Sequence, residues 1–208
     1  MNQKELCKQY GIGITGGIAT GKSSVVQILS SWGYLCIDAD QLAREAVRTG
    51  SEGLAAVVGH FGHDILLPDG SLNRKKLGLI VFRDSAQRKI LEGIVHPEIQ
   101  KLLGQRLDKE GMFQNPRLWF YEAALLFETG LYRSFLEVWL TTSDSVDQIQ
   151  RLKKSKGISE AHVREIMSAQ MPDEEKIKIA SRVIENKKDL AALEVTLQSL
   201  LTQQKSHA

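Results

Sequence analysis

The chain has 208 residues, 42% of them hydrophobic, enough to pack the core of one α/β domain with an inserted or appended helical part. Its 27 basic and 25 acidic side chains leave 27 − 25 = +2, which excludes a global field aimed at nucleic acid or an anionic membrane, so any anion binding must be local. Cys7 and Cys36 are too few and too far apart for a disulfide framework or a zinc site, and no apolar run reaches the length of a membrane span.

The residues Met1 to Glu5 lack the apolar stretch of a leader, so the expectation is a cytoplasmic protein without a membrane partner. Tyr10 to Thr15 reads as a short buried strand. It runs into Gly16-Gly17-Ile18-Ala19-Thr20-Gly21-Lys22-Ser23, which spells G-x-x-x-x-G-K-S. In such a loop the glycines permit a tight turn, and successive N–H groups converge on phosphate oxygens. The expected contacts are Gly17, Ile18, Ala19, Thr20, Gly21, Lys22, Ser23 and Ser24, with Lys22 reaching the β- and γ-phosphates and the Ser23 hydroxyl reaching Mg²⁺. Val25, Val26, Ile28, Leu29 and Trp32 then fall on one helical face, which sets a helix N-terminus behind the phosphates.

Tyr34 to Ile37 reads as a second strand, and Asp38 and Asp40 follow at its carboxyl end. Either carboxylate can accept a proton from an acceptor hydroxyl or hold a metal-bound water, and the competing reading is that both cap the helix from Gln41 to Val47. Residues 50–110 read as helices only, over 50–61, 73–82, 85–94 and 97–108, with a turn at Pro68-Asp69-Gly70-Ser71. His96 stands at the start of the last of these, before Pro97, as a structural residue or a substrate contact.

Arg117 to Glu122 reads as a third strand whose terminal Glu122 suits a carboxylate beside Mg²⁺. Phe135 to Thr141 is a fourth, and a helix beginning near Ser145 carries Arg151, Lys153, Lys154 and Lys156. Such a run is either a solvated face or a lid whose arginine balances transferring charge. Two short helices, 159–170 and 173–180, lead to a fifth strand, Arg182 to Glu185, and a closing amphipathic helix over 189–203.

Asn186-Lys187-Lys188-Asp189 spells the guanine-reading N-K-x-D, and Asp108-Lys109-Glu110-Gly111 spells D-x-x-G, so a GTPase switch is a rival reading. Against it, no apolar strand precedes Asp108, and the 208 − 189 = 19 residues after Asp189 leave room for one helix only.

T-G-G-I-A-T-G-K-S at 15–23, I-D-A-D-x-x-A-R at 37–44, H-P at 96–97, L-L-F-E at 125–128, Q-x-x-R at 148–151 and V-I-x-N at 183–186 resemble the dephospho-coenzyme A kinase family, in the same order. The resemblance implies an α/β P-loop kinase core with a five-stranded parallel sheet, a helical substrate-binding insertion and a small helical lid. On this chain the core would be about 8–49, 112–145 and 180–206, the insertion about 50–111 and the lid about 146–179. It implies ATP-dependent phosphorylation of the ribose 3′-hydroxyl of dephospho-CoA, with ATP and Mg²⁺ as cofactors, in a monomer or small homo-oligomer. Asp40 would be the base, Arg44 an acceptor contact with Asp38 and His96, Arg151 a lid residue near ATP, and Asn186 a neighbour of the adenine. The chain departs from the family at Glu122-Ala123-Ala124, where D-x-P is usual, at Lys154 and Ser155, where a second lid arginine is common, and at Ala180-Ser181. The enzymatic alternative is a kinase for another small hydroxyl acceptor: a nucleoside, nucleotide or sugar acid.

Overall fold

The structure is a computed structural model describing residues 1–156, 159–168 and 170–205. In chain order its elements are α1 (Gln3–Tyr10), β1 (Gly11–Thr15), α2 (Lys22–Ser31), β2 (Leu35–Asp38), α3 (Ala39–Ala46), α4 (Glu52–Phe61), α5 (Arg74–Arg83) and α6 (Ser85–Lys109). Then come β3 (Trp119–Glu122), β4 (Glu137–Thr142), α7 (Ser145–Lys156), α8 (Glu160–Ser168), α9 (Asp173–Ile179), β5 (Arg182–Glu185) and α10 (Leu190–Lys205).

The strands form one sheet in the order β2-β3-β1-β4-β5, with parallel ladders between β1 and β3, β1 and β4, and β4 and β5. Every residue of β1 is buried, as a central strand covered on both faces requires. Ile12, Ile14, Phe120, Trp139 and Ile184 from the strands pack with Val25, Ile28 and Leu29 of α2 and Leu193, Leu197 and Leu201 of α10. Each such side chain contributes about 1.5–3 kcal/mol on full burial, so the sheet is the rigid base for what hangs from its carboxyl edge. The sequence pattern gave no reason to expect α1. Its signal is a reciprocal cap, in which Glu5 N–H donates to Asn2 Oδ1 (2.9 Å) and Asn2 N–H donates to Glu5 Oε2 (3.0 Å).

The chain divides into two compact units, one of Met1–Ile37 and Asn115–Ala208, the other Asp38–Gln114. The second unit therefore starts at Asp38 rather than near residue 50, because α3 packs on α6 and Glu45 pairs with Arg106 at 3.5 Å. Its core is Val47, Leu54, Val57, Ile65 and Leu77. A break predicted at His96-Pro97 is absent, since α6 runs through Pro97 for 25 residues. The proline deprives one carbonyl, that of Gly93, of its N–H partner, and Gly93 is exposed, so solvent can serve it. Packing holds the two halves in line, through Leu91, Ile94 and Val95 before the proline and the buried Leu103 and Leu107 after it.

Burial pushes the Cys7 thiol up to about 11 and raises that of Cys36, where the charge of Glu122 adds to the effect of burial. Both thiols therefore stay protonated at neutral pH, and the thiolate is the reactive form. Titration with a thiol reagent at pH 7.5 should show the half-buried Cys36 reacting slowly, Cys7 more slowly still, and both at the free-thiol rate in denaturant.

Candidate active site

The loop between β1 and α2 is shaped by what its glycines allow. Gly16 has φ +154° and Gly21 has φ +99°. A Cβ on Gly16 would strike the carbonyl of Thr141 in β4, and one on Gly21 would strike the Asn186 side chain. Neither position admits another residue without displacing its neighbour.

The loop's carbonyls are then tied one by one. Lys22 Nζ donates to Gly16 O (2.8 Å) and Gly17 O (2.9 Å), and Thr20 Oγ1 also donates to Gly17 O (3.0 Å). Arg151 Nη1 donates to Ala19 O (3.1 Å), and Asn186 Nδ2 donates to Thr20 O (2.9 Å). A peptide whose C=O is held from one side presents its N–H to the other, which is the backbone orientation an anion nest requires. The first turn of α2 adds its positive end, with Ser23 exposed and Ser24 half-buried.

Arg151 and Asn186 form a brace with each other. The second guanidinium nitrogen donates to Asn186 O (3.1 Å), and Asn186 N–H donates to Thr142 O (2.8 Å) at the end of β4. The Asn186 amide is buried, and its described bond is to the loop backbone. The N-K-x-D string is accounted for in the same way: Asp189 Oδ1 accepts from Ala192 N–H (2.9 Å) in the first turn of α10, and Lys187 pairs with Asp144 at 3.3 Å. Glu122 ends β3 in register with Ile14, and its charge is felt at Cys36 on β2. The side chain of Lys154 lies outside the described residues.

Residues of the expected lid segment that no motif singled out also meet the loop. Ile18 N–H donates to Gln170 Oε1 (3.0 Å), and the Asp173 carboxylate lies 3.8 Å from where a Cβ on Gly17 would stand. Burial raises the pKa of Asp173, while the charges of Lys176 and Lys22 pull it down. Lys176 is fully buried, 3.6 Å from Glu128 and 3.9 Å from Asp173. No local pattern marks Gln170 or Asp173, because they lie roughly 150 positions beyond the loop they meet.

In the helical unit, Asp38 caps α3: its Oδ1 accepts from Asp40 N–H (2.7 Å) and Gln41 N–H (3.3 Å). Asp40 is therefore one residue inside the helix, with an exposed side chain, and the two carboxylates differ in role. Arg44 is exposed in the last turn of α3, and its carbonyl accepts from Arg74 Nη2 at 3.4 Å. His96 helps line a cavity of about 330 Å³ with Arg74, Glu92 and apolar residues including Val47, Leu77 and Val81. That volume falls in the range of small-molecule sites.

A family profile described as dephospho-CoA kinase matches residues 10–192. A dephospho-CoA kinase from Geobacter sulfurreducens is 46% identical over 175 residues, spanning 84% of this chain and 88% of its own. A solved structure from Thermus thermophilus superposes with TM-score 0.81 at 36% identity, covering 93% of this chain and 97% of that one. A dephospho-CoA kinase from Campylobacter jejuni superposes with TM-score 0.66 at 28% identity, covering 95% of this chain and 98% of its own.

Loss of the Asn186 amide donor leaves a buried Thr20 carbonyl unpartnered, at a cost of about 1–3 kcal/mol. Asn186→Asp keeps the shape but removes the donor. It should weaken ATP binding at least about tenfold in a calorimetric titration, with circular dichroism unchanged.

Proposed function

The chain belongs to the dephospho-CoA kinase family, and from that premise we propose how its residues carry out the reaction. It phosphorylates dephospho-CoA, with ATP as phosphoryl donor, in coenzyme A biosynthesis. The observation that supports the mechanism is the loop of residues 16–23, whose Gly16, Gly17, Ala19 and Thr20 carbonyls are held by side chains.

ATP binds with its phosphates on the amides of residues 17–24. Lys22 exchanges the carbonyls of Gly16 and Gly17 for the charged β- and γ-phosphates, and Thr20 Oγ1 keeps the Gly17 carbonyl held when it does. Arg151 acts on the reaction through the backbone, since its guanidinium spans the Ala19 and Asn186 carbonyls and fixes the loop from behind. Pre-organisation of this kind is what a loose phosphoryl-transfer transition state demands of a protein.

Asp40 accepts the proton of the ribose 3′-hydroxyl as that oxygen attacks. What supports the assignment is the division of labour at α3, where Asp38 takes the capping bonds and Asp40 keeps an exposed carboxylate. Arg44 is the candidate partner for the acceptor's anionic groups. The apolar cavity beside His96 is the candidate contact for the rest of dephospho-CoA.

Among the described residues no group of three or more His, Cys, Asp or Glu side chains is placed to hold a metal ion. The candidate protein oxygens for a cation carried on the nucleotide phosphates are the Ser23 hydroxyl and Glu122. Mg²⁺ there would offset charge on the phosphate oxygens. No helix among the described residues is long and apolar enough to cross a membrane. We place the reaction in the cytoplasm, where both substrates are dissolved.

Asp40→Asn should lower kcat by about 10²–10⁴-fold while ATP affinity is kept, measured as CoA formation with saturating ATP and Mg²⁺. Near-normal turnover would remove Asp40 from the chemistry. A panel of acceptors run with the unaltered protein should give turnover with dephospho-CoA well above any nucleoside, nucleotide or sugar acid.

A further inference from the structure

The contact between Gln170 and the phosphate loop has no role in the scheme above. Because Ile18 N–H is a donor, the atom facing it at 3.0 Å must be the carbonyl oxygen of the Gln170 amide. A neutral oxygen thus sits where a loop of this kind receives a phosphate oxygen. Lys22 holds the Gly17 carbonyl of the same peptide, so the Ile18 N–H faces the other way, into the cup, where the backbone of such a loop serves the β/γ end of the nucleotide.

Gln170 is held there from behind. Met171 N–H, the next amide in the chain, donates to Glu128 Oε1 at 3.2 Å. Glu128 is paired in turn with Lys176 at 3.6 Å, and Lys176 is fully buried with no hydrogen-bond partner on its amine. The Lys176 amine lies between Glu128 and Asp173, so the segment that carries Gln170 meets Glu128 at two points, Met171 N–H and Lys176. When a phosphate oxygen takes the Ile18 amide, the Gln170 side chain therefore remains next to it. A carbonyl oxygen beside a phosphate oxygen is repulsive, whereas the Nε2 hydrogens of the same amide are attractive. The last torsion of glutamine is broad and roughly two-fold, so exchanging the two costs little.

We propose that Gln170 is a substrate-positioning residue for the terminal phosphoryl group of ATP, which turns its side-chain amide from acceptor to donor when ATP replaces it at the Ile18 N–H. This rests on reading residues 16–23 as the triphosphate cup. The group then helps distinguish ATP from ADP, because ADP brings no γ-phosphoryl oxygen to its Nε2. A hydrogen bond to a charged oxygen corresponds to about a tenfold or larger change in affinity.

The test is titration of the full chain, with Mg²⁺, by a non-hydrolysable ATP analogue and by ADP. The proteins are the unaltered chain, Gln170→Ala, Gln170→Met (similar in length, with neither amide donor nor acceptor) and Lys22→Ala. Both Gln170 variants should bind the ATP analogue about tenfold more weakly and ADP as before, and the KM for dephospho-CoA should not change. ATP-analogue affinity equal to or tighter than that of the unaltered protein in either variant would overturn the proposal, leaving Gln170 as a plug in the empty cup. Equal weakening for both nucleotides would overturn it as well, by pointing to general damage to the loop. If Lys22→Ala binds both nucleotides normally, the cup itself is misread and the proposal falls with it.

Discussion

A peptide loop does not present its amides to an anion unless its carbonyls are engaged elsewhere. Here the carbonyls of Gly16, Gly17, Ala19 and Thr20 each accept from a side chain: Lys22 for Gly16, Lys22 and Thr20 for Gly17, Arg151 for Ala19 and Asn186 for Thr20. The neutral bonds from Thr20 and Asn186 contribute about 0.5–1.5 kcal/mol each and the charged ones from Lys22 and Arg151 about 1.5–3, and together they fix the sense in which these four peptide planes face. The sheet makes them possible. The end of β4 supplies the Thr142 carbonyl that seats Asn186, and Asn186 seats both the loop and Arg151.

Much of this frame was legible from the chain, because the signals are local. The run of apolar residues before Gly16, the glycine spacing and the helical face after Ser23 identify the loop within about 25 residues of sequence. Strand edges were read to within two residues at each site. What was not legible depends on distant contacts. Asn186 lies 166 residues from Thr20 and Arg151 lies 132 from Ala19, so their work on the loop backbone has no sequence signature. Family likeness suggested direct nucleotide contacts for them, whereas the described bonds go to main-chain carbonyls. Pro97 misled for the opposite reason: a strong local breaker was overridden by apolar packing on both sides of it.

The same division between local and distant signals governs the acids. Asp38 and Asp40 are two residues apart and chemically identical, yet the start of α3 gives them different tasks by geometry alone. A cap residue must spend its oxygen on the N–H groups that follow, while the residue two later spends only its backbone. At Glu128 and Asp173 the deciding element is Lys176, buried without a hydrogen bond and tolerable only because two carboxylates flank it. A carboxylate beside a phosphate cup would ordinarily repel its ligand. With Lys176 on one side and Lys22 on the other, Asp173 is compensated in place.

The variable positions of the loop carry meaning too. Ile18 and Ala19 are apolar, and they pack against the cluster of Ile149 and Leu152 of α7 and Val163 of α8. Ala19 holds φ +58°, which costs a residue with a Cβ roughly 1–2 kcal/mol and which glycine would adopt freely. A methyl group kept at that price is explained by what it touches. Glycine would relieve the strain and remove the contact with the helices above. The backbone of this loop is therefore committed to the anion and its side chains to the α7–α8 pair. Any shift of the loop on binding phosphate must move both, and that coupling needs no hinge beyond the packing itself.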